Sequence, residues 1–469
     1  PEVVEIPSDS SRKPKTPMRA MKPLPLIALL LACAPALANP YETTLKNGLK
    51  VIVKEDRRAP TAVQMVWYRT GSMDEVDGSS GLAHALEHMM FKGTPSIGPG
   101  EFNKRVAGAG GRDNAFTSRD YTAYFQQIPK EKLEEMMQLE ADRMRHLTVD
   151  PKEFEQEIKV IMEERRLRTD DNPQAKLFEQ MNAVAWQAHP YRRPIIGWMS
   201  DLESMTAADA KDWYQRWYVP NNATLVVVGD VEHQAIFALA EKYYGPMESR
   251  PLPARRPQTE PEQKGERRVI VKAPAELPVL VLGYKAPALR DIDKDRDPYA
   301  LEMLGAILDG YDAARLNKRL VREQQLAISA GASYDSTSRG PGMFYLSGTP
   351  TQGRTVAELE AALKNEITRI QNEGVTEAEL KRAKAQLEAA QTYKLDSMMG
   401  QAMEIGQTET IGFSHRDTAR MIARAQQVTA AEIQAVAKKY FSNDTLTVGI
   451  LDPQPLDSKT RRPALPLKH

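Results

Sequence analysis

Apolar residues recur along the chain in two rhythms. Ala62-Val63-Gln64-Met65-Val66-Trp67-Tyr68 and Val279-Leu280-Val281-Leu282-Gly283-Tyr284 are near-continuous runs of strand length, as strands covered on both faces require. Each follows a shorter strand-like segment, Val51-Ile52-Val53-Lys54 and Val269-Ile270-Val271-Lys272. Elsewhere the period is helical. Phe154, Ile158, Ile161 and Arg165 fall on one stripe, and Asp150-Pro151 ahead of them supplies a cap and a first-turn proline. That spacing predicts an amphipathic helix over Glu153 to Arg166. Long helices are also expected over Pro129 to Arg145 and Val356 to Asn372.

These elements repeat. Thr206-Ala207-Ala208-Asp209, Trp217-Tyr218 and Asn222-Ala223-Thr224-Leu225-Val226-Val227-Val228-Gly229 have counterparts in Thr429-Ala430-Ala431-Glu432, Tyr440-Phe441 and Asn443-Asp444-Thr445-Leu446-Thr447-Val448-Gly449. The three offsets agree at about 220 residues, and similar strands in the same order at one period point to an internal repeat. The expected fold class is α+β: two homologous domains of mixed strand and helix, residues 39–249 and 268–469. The Pro-rich, charged stretch 250–267 reads as the linker between them.

The N-terminal segment 1–38 reads as something other than fold. Met18-Arg19-Ala20-Met21-Lys22 is a short basic region, and Leu24 to Ala38 is an apolar run too short to span a bilayer. Its Ala36-Leu37-Ala38 end predicts a secretory signal cleaved before Asn39, with translation starting at Met18 or Met21, and hence a periplasmic or secreted protein. Leu30-Leu31-Ala32-Cys33 offers the competing expectation of a lipid anchor on Cys33. Cys33 is the chain's single cysteine, so the mature protein would have no disulfide. No other run is long enough for a membrane span. Sixty-three basic residues balance sixty-three acidic ones over 469 residues, which removes any electrostatic case for nucleic acid.

The chemistry concentrates in Gly81-Leu82-Ala83-His84-Ala85-Leu86-Glu87-His88-Met89-Met90-Phe91-Lys92-Gly93-Thr94. On a helix, His84 and His88 lie one turn apart on one face, where two imidazoles can grip one zinc ion. Glu87 projects nearly alongside and can reach a water without being a ligand, the zincin arrangement in inverted order. A solvated histidine pair is the plain alternative. The surrounding Leu82, Leu86, Met89 and Phe91 argue for burial, and buried imidazoles and carboxylates need partners. Catalytic zinc takes three protein ligands. The helix over Glu153 to Arg166 can supply the third: Glu157 and Glu164 are two turns apart on one face, and Glu163 points away. Glu164 is favoured as ligand and Glu157 as its support. The second domain has Pro298-Tyr299-Ala300-Leu301-Glu302-Met303-Leu304-Gly305 at the corresponding place and no histidine, so one site per chain is expected.

With the flanks Gly81-Leu82-Ala83 and Met90-Phe91-Lys92-Gly93-Thr94, and with Asn114-Ala115-Phe116-Thr117 followed by Tyr121-Thr122-Ala123-Tyr124, the chain resembles the M16 family of zinc peptidases from about Tyr41 to Asp452. That family places a ligand glutamate about 76 residues after the second histidine, the position of Glu164. The resemblance implies His84, His88 and Glu164 as ligands of one Zn2+ per chain, Glu87 as general base and Glu157 as support. It implies domains built as a mixed sheet packed on helices, two forming half a clamshell. It also implies an extended peptide substrate paired with an edge strand at Asn114, Ala115 and Phe116, behind the glycines of Gly108-Ala109-Gly110-Gly111.

One departure changes the expectation. Active family members carry an Arg and a Tyr in the second half, and Val321 and Ile328 stand at those positions here. Arg322 or Tyr334 could substitute, or a homologous metal-less subunit could bring the pair in a heterodimer, a homodimer being the other arrangement. The expected function is a secreted or periplasmic zinc metalloendopeptidase acting on peptides or unfolded polypeptides. The alternatives are a non-catalytic core subunit of a larger complex and, third, a metal-binding chaperone.

Overall fold

The computed structural model describes residues 40–456; the segment read as a targeting signal, Cys33 included, lies outside the described residues. Two sheets organise the chain. The first contains β1 (Tyr41–Thr44), β2 (Lys50–Glu55), β3 (Thr61–Tyr68), β4 (Arg112–Thr117), β5 (Thr122–Pro129) and β6 (Ala223–Gly229), in the order β1-β2-β6-β3-β5-β4. The second contains β7 (Arg267–Pro274), β8 (Val279–Ala286), β9 (Ala327–Tyr334), β10 (Gly342–Pro350) and β11 (Leu446–Gln454), in the order β7-β11-β8-β10-β9. From β2 onward the first sheet has the order of the second. In each, one parallel pair (β2 with β6, β7 with β11) sits in an otherwise antiparallel sheet. The fold is thus two α+β domains with mixed sheets. No helix among the described residues is long and apolar enough to cross a membrane.

The near-continuous apolar runs have a direct cause. β3 is hydrogen-bonded on both edges, to β5 and β6, and is covered on both faces. Val66 and Tyr68 join the first domain's main core, while Val63, Met65 and Trp67 turn the other way. What covers that second face is a helix from the other domain, Met398–Ile411, which brings Ala402 and Ile405. The exchange is reciprocal. On β8, Leu280 and Leu282 face the second domain's core, and Val279 and Val281 meet Leu177, Met181 and Ala185 from the helix Pro173–Ala185 of the first. Each sheet is therefore a layer between its own helices and one lent by its neighbour.

Local signals set most helix ends. Asp150 accepts from the backbone N–H of Lys152 (2.8 Å) and Glu153 (3.1 Å), starting the helix Pro151–Arg165. Thr355 and Glu358 form a reciprocal cap on Val356–Glu373. The helix expected from Pro129 instead begins at Leu133, because Pro129 still belongs to β5, paired with Thr61. Residues 250–264, within the stretch read as a linker, have no regular structure, yet they are held down. Arg255 lies over the Trp217 ring and bonds Asp74 at 2.7 Å. Glu260 accepts from the N–H groups of Gln187, Ala188 and His189 and from Lys285 at 2.6 Å.

Candidate metal centre

His84, Glu87 and His88 lie on the helix Leu82–Met89, in a bed of Leu82, Ala83, Leu86 and Met89. Its first turn is fixed by Glu75, whose buried carboxylate accepts from the backbone N–H of Gly81 (3.0 Å) and Ala83 (2.8 Å). Burial pushes that carboxyl up to about 8, even though both hydrogen bonds favour its charge. Glu157 and Glu164 come from the helix Pro151–Arg165, packed against the first. Arg165 donates to the carbonyl of Gly197 (2.8 Å) and to Glu179 (2.8 Å), and so anchors the residue next to Glu164 in the wall of the site.

The two helices bring three donor atoms together. Glu164 Oε2 is 3.6 Å from His84 Nε2 and 3.4 Å from His88 Nε2, and all three donors lie within 4.8 Å of one another. Glu164 Oε2 is buried without a hydrogen-bond partner, while Arg168 takes the other oxygen at 2.7 Å. An unpaired carboxylate oxygen between two imidazoles is costly unless a cation joins them. Zinc bonds of about 2.0–2.1 Å at the tetrahedral angle separate neighbouring ligand atoms by roughly 3.3 Å, close to both spacings. The residues fit a zinc ion. Burial, with His88 and Arg168 nearby, lowers the His84 imidazole to about 3, so the ring is neutral, the form a metal needs.

Around these donors sit groups that fix them. His88 Nδ1 is 2.8 Å from Glu157 Oε1, leaving Nε2 to face Glu164. Burial opposes charge on His88, but this bond and the surrounding carboxylates outweigh it and raise the imidazole. Lys92, one turn beyond His88, pairs with the other oxygen of Glu157. Glu87 reaches toward β4, where the Thr117 hydroxyl donates to its Oε2, and His88 and Glu164 both act on its carboxyl electrostatically. Burial raises the Glu87 carboxyl, and the Thr117 bond partly opposes this. Glu163, as the spacing indicated, points outward and pairs with Arg166.

β4 is one of the two edge strands of the first sheet, β1 being the other. Asn114, Ala115 and Phe116 all lie on it: the Asn114 carboxamide accepts from Ala115 N–H (2.9 Å), Ala115 packs on the main core, and Phe116 meets Trp67 edge-on at 5.5 Å. A cavity of about 550 Å³ opens beside the histidine helix, lined by Glu87, His88, Phe91, Lys92, Asn103 and Asn114. Sequence reasoning missed Lys92, Thr117, Glu75 and Arg168 as members of the site. Lys92 and Arg168 carried a signal, their places four residues after His88 and Glu164; Thr117 and Glu75 come from a separate strand and loop. In the second domain Val321 packs against the core and Ile328 is exposed on β9. Arg322 is exposed, and the Tyr334 hydroxyl donates to the Pro287 carbonyl.

Fold and site together define a class: a duplicated sheet-and-helix protein with a histidine–histidine–glutamate centre in its first half. The family profile described as insulinase (peptidase family M16) matches residues 50–198, and that described as peptidase M16 inactive domain matches residues 204–387. A zinc protease, PqqE, of Helicobacter pylori is 36% identical over 339 residues, covering 69% of this chain and 75% of that protein. A mitochondrial-processing peptidase subunit beta from Lentinula edodes is 28% identical over 422 residues, covering 85% and 87%. The crystal structure of a protease from Helicobacter pylori superposes with a TM-score of 0.84 at 30% identity, covering 88% of this chain and 99% of that one. The chain belongs to peptidase family M16.

Proposed function

We propose that this chain is a zinc metalloendopeptidase in which His84, His88 and Glu164 hold one zinc ion. The observation that carries it is the approach of three donor atoms, one of them an otherwise unpartnered buried carboxylate oxygen. When bound, zinc supplies Lewis acidity that polarises the scissile carbonyl and acidifies water to a pKa of about 7. Glu87 takes the proton from the attacking water and delivers it to the leaving amine nitrogen, held for this by Thr117. Glu157 keeps the His88 ring in the orientation that presents Nε2. An extended peptide adds as a strand to the free edge at Asn114, Ala115 and Phe116, which aligns its backbone beside Glu87.

With Val321 and Ile328 where active relatives carry Arg and Tyr, we further propose that a homologous metal-less subunit completes the site. The residue 18–38 segment supports action in the periplasm or outside the cell. The non-catalytic core-subunit alternative leaves the three-donor cluster without a purpose. The test is zinc content together with cleavage of an unstructured peptide, with and without a chelator. Stoichiometric zinc and chelator-sensitive cleavage are expected, the latter strongest with the partner present. Protein that takes up no zinc overturns the proposal, and full activity of the lone chain overturns the partner requirement.

A further inference from the structure

The second domain reaches into the first through one hairpin. Between β9 and β10 the chain turns through residues 335–341, and Gly340 approaches the first domain so closely that a Cβ there would stand 2.6 Å from the His189 and Tyr191 rings. Its N–H donates to the Tyr191 hydroxyl at 2.8 Å. The residue before it, Arg339, is thereby carried into the first domain, with only 7% of its side chain exposed. Its guanidinium grips Asp74 with two arms, Nη1 to Oδ2 at 2.9 Å and Nη2 to Oδ1 at 3.1 Å, and that carboxylate is buried as well. Nη1 also donates to the Asp120 carbonyl (2.8 Å), and the Arg339 backbone N–H to the Asp120 carboxylate (3.1 Å).

These acceptors belong to the two segments that hold the metal centre. Asp74 is followed by Glu75, whose carboxylate fixes the first turn of the histidine helix at Gly81 and Ala83. Asp120 lies just past the end of β4, where the Thr117 hydroxyl holds Glu87. The segments are also bonded to each other: Ser72 N–H donates to the Ser118 carbonyl (3.1 Å) and Met73 N–H to that of Arg119 (2.9 Å). They meet at Gly71, where a Cβ would stand 2.5 Å from the Ser118 carbonyl oxygen. Arg255 also bonds Asp74, but its other contact is the Arg69 carbonyl, on the same side of the junction. Arg339 spans it. A rigid planar fork can serve two acceptors at fixed angles, which a single ammonium cannot.

We propose that Arg339 is a positioning residue for the metal centre: through it, the domain that carries no metal ligand holds in register the two segments that set the histidine helix and Glu87. The proposal rests on the peptidase reading above. A buried ion pair adds little net stability over an apolar pair of similar volume, so the value of this one lies in the geometry it fixes. Without the fork, residues 71–75 can shift against 118–121, and the displacement reaches the imidazoles through Glu75 and the general base through Thr117.

The test uses the full chain, freed of metal and titrated with zinc against a chelator. Arg339→Met should weaken zinc binding by about tenfold, and Arg339→Lys, which keeps the charge and loses the fork, should recover part of it. Peptide cleavage by Arg339→Met should lose about tenfold in kcat with KM within about twofold of the parent, because the substrate still meets the same groove. Lys50→Met is the control. It breaks another ion pair between the domains, with Glu409 at 2.8 Å, on β2 and far across the sheet from β4, and should change neither measurement. Parent-like zinc affinity in folded Arg339→Met overturns the role, as does an equal loss in Lys50→Met. If Arg339→Met does not fold, Arg339→Lys is read against the parent on the same terms; if the lone chain cuts too slowly to assay, the zinc competition decides. A parent chain that takes up no zinc would instead defeat the peptidase reading.

Discussion

Trp67 and Gly406 touch across the domain boundary: a Cβ on Gly406 would stand 2.0 Å from the Trp67 indole. Trp67 projects from β3, and Gly406 sits in the helix that the second domain lays over that sheet. The missing side chain lets helix and indole meet at backbone distance.

Gly406→Ala should therefore destabilise the protein, against the usual gain from replacing a helical glycine. Overpacking of this kind costs about 1–3 kcal/mol. Gly305, also helical, is the control, since its added Cβ would come no nearer than 3.8 Å to Phe344. Gly305→Ala should be neutral or stabilising by up to about 1 kcal/mol. Chemical denaturation midpoints decide, and equal behaviour of the two variants would refute the close approach.

Glu87→Gln keeps the shape that Thr117 holds and removes the proton acceptor. Zinc content should match the parent, while peptide cleavage falls by at least about a hundredfold. Retained turnover would remove Glu87 from the general-base role.

Removing Glu157 and removing Glu164 should differ in kind. Glu157→Gln loosens the His88 ring and should weaken zinc binding by about 10–100-fold in a chelator competition. Glu164→Gln replaces the oxygen that faces both imidazoles and should reduce zinc binding further. Equal zinc affinity in Glu164→Gln and the parent would contradict the proposed ligand set.

The segment joining the domains should loosen in acid. Burial disfavours charge on Glu260, but Lys285 and three backbone N–H groups outweigh it and depress the carboxyl from the ordinary 4.5 to about 2. A depressed acid contributes its full stabilisation above its unfolded pKa. The contribution is thus complete above pH 4.5 and is lost as pH falls toward 2. Limited proteolysis across 250–264 should accelerate in that window, and Glu260→Gln should show the faster cleavage already at pH 7. A rate that does not change with pH below 4.5 would count against the role of Glu260.

Much of this was legible in the sequence because it is local. The i, i+4 spacing of His84 and His88, the stripe of Phe154, Ile158 and Ile161, and the cap at Asp150 act within a few residues, so composition and period suffice. The duplicated α+β plan was legible too, since repeated strands in repeated order leave their trace in the chain. Other features depend on which distant segments fold together. The continuous hydrophobicity of β3 and β8 showed that both faces are covered but could not name the cover, and each cover proved to be a helix lent by the other domain. The same limit applies at the site. Helical spacing put Glu157 and Glu164 on one face, but only the packing of two helices set their distances to the imidazoles, and only the docking of that pair on β4 turned Thr117 to Glu87. Periodicity reports which side of an element is buried; which atoms meet there is decided by the close packing of the whole molecule.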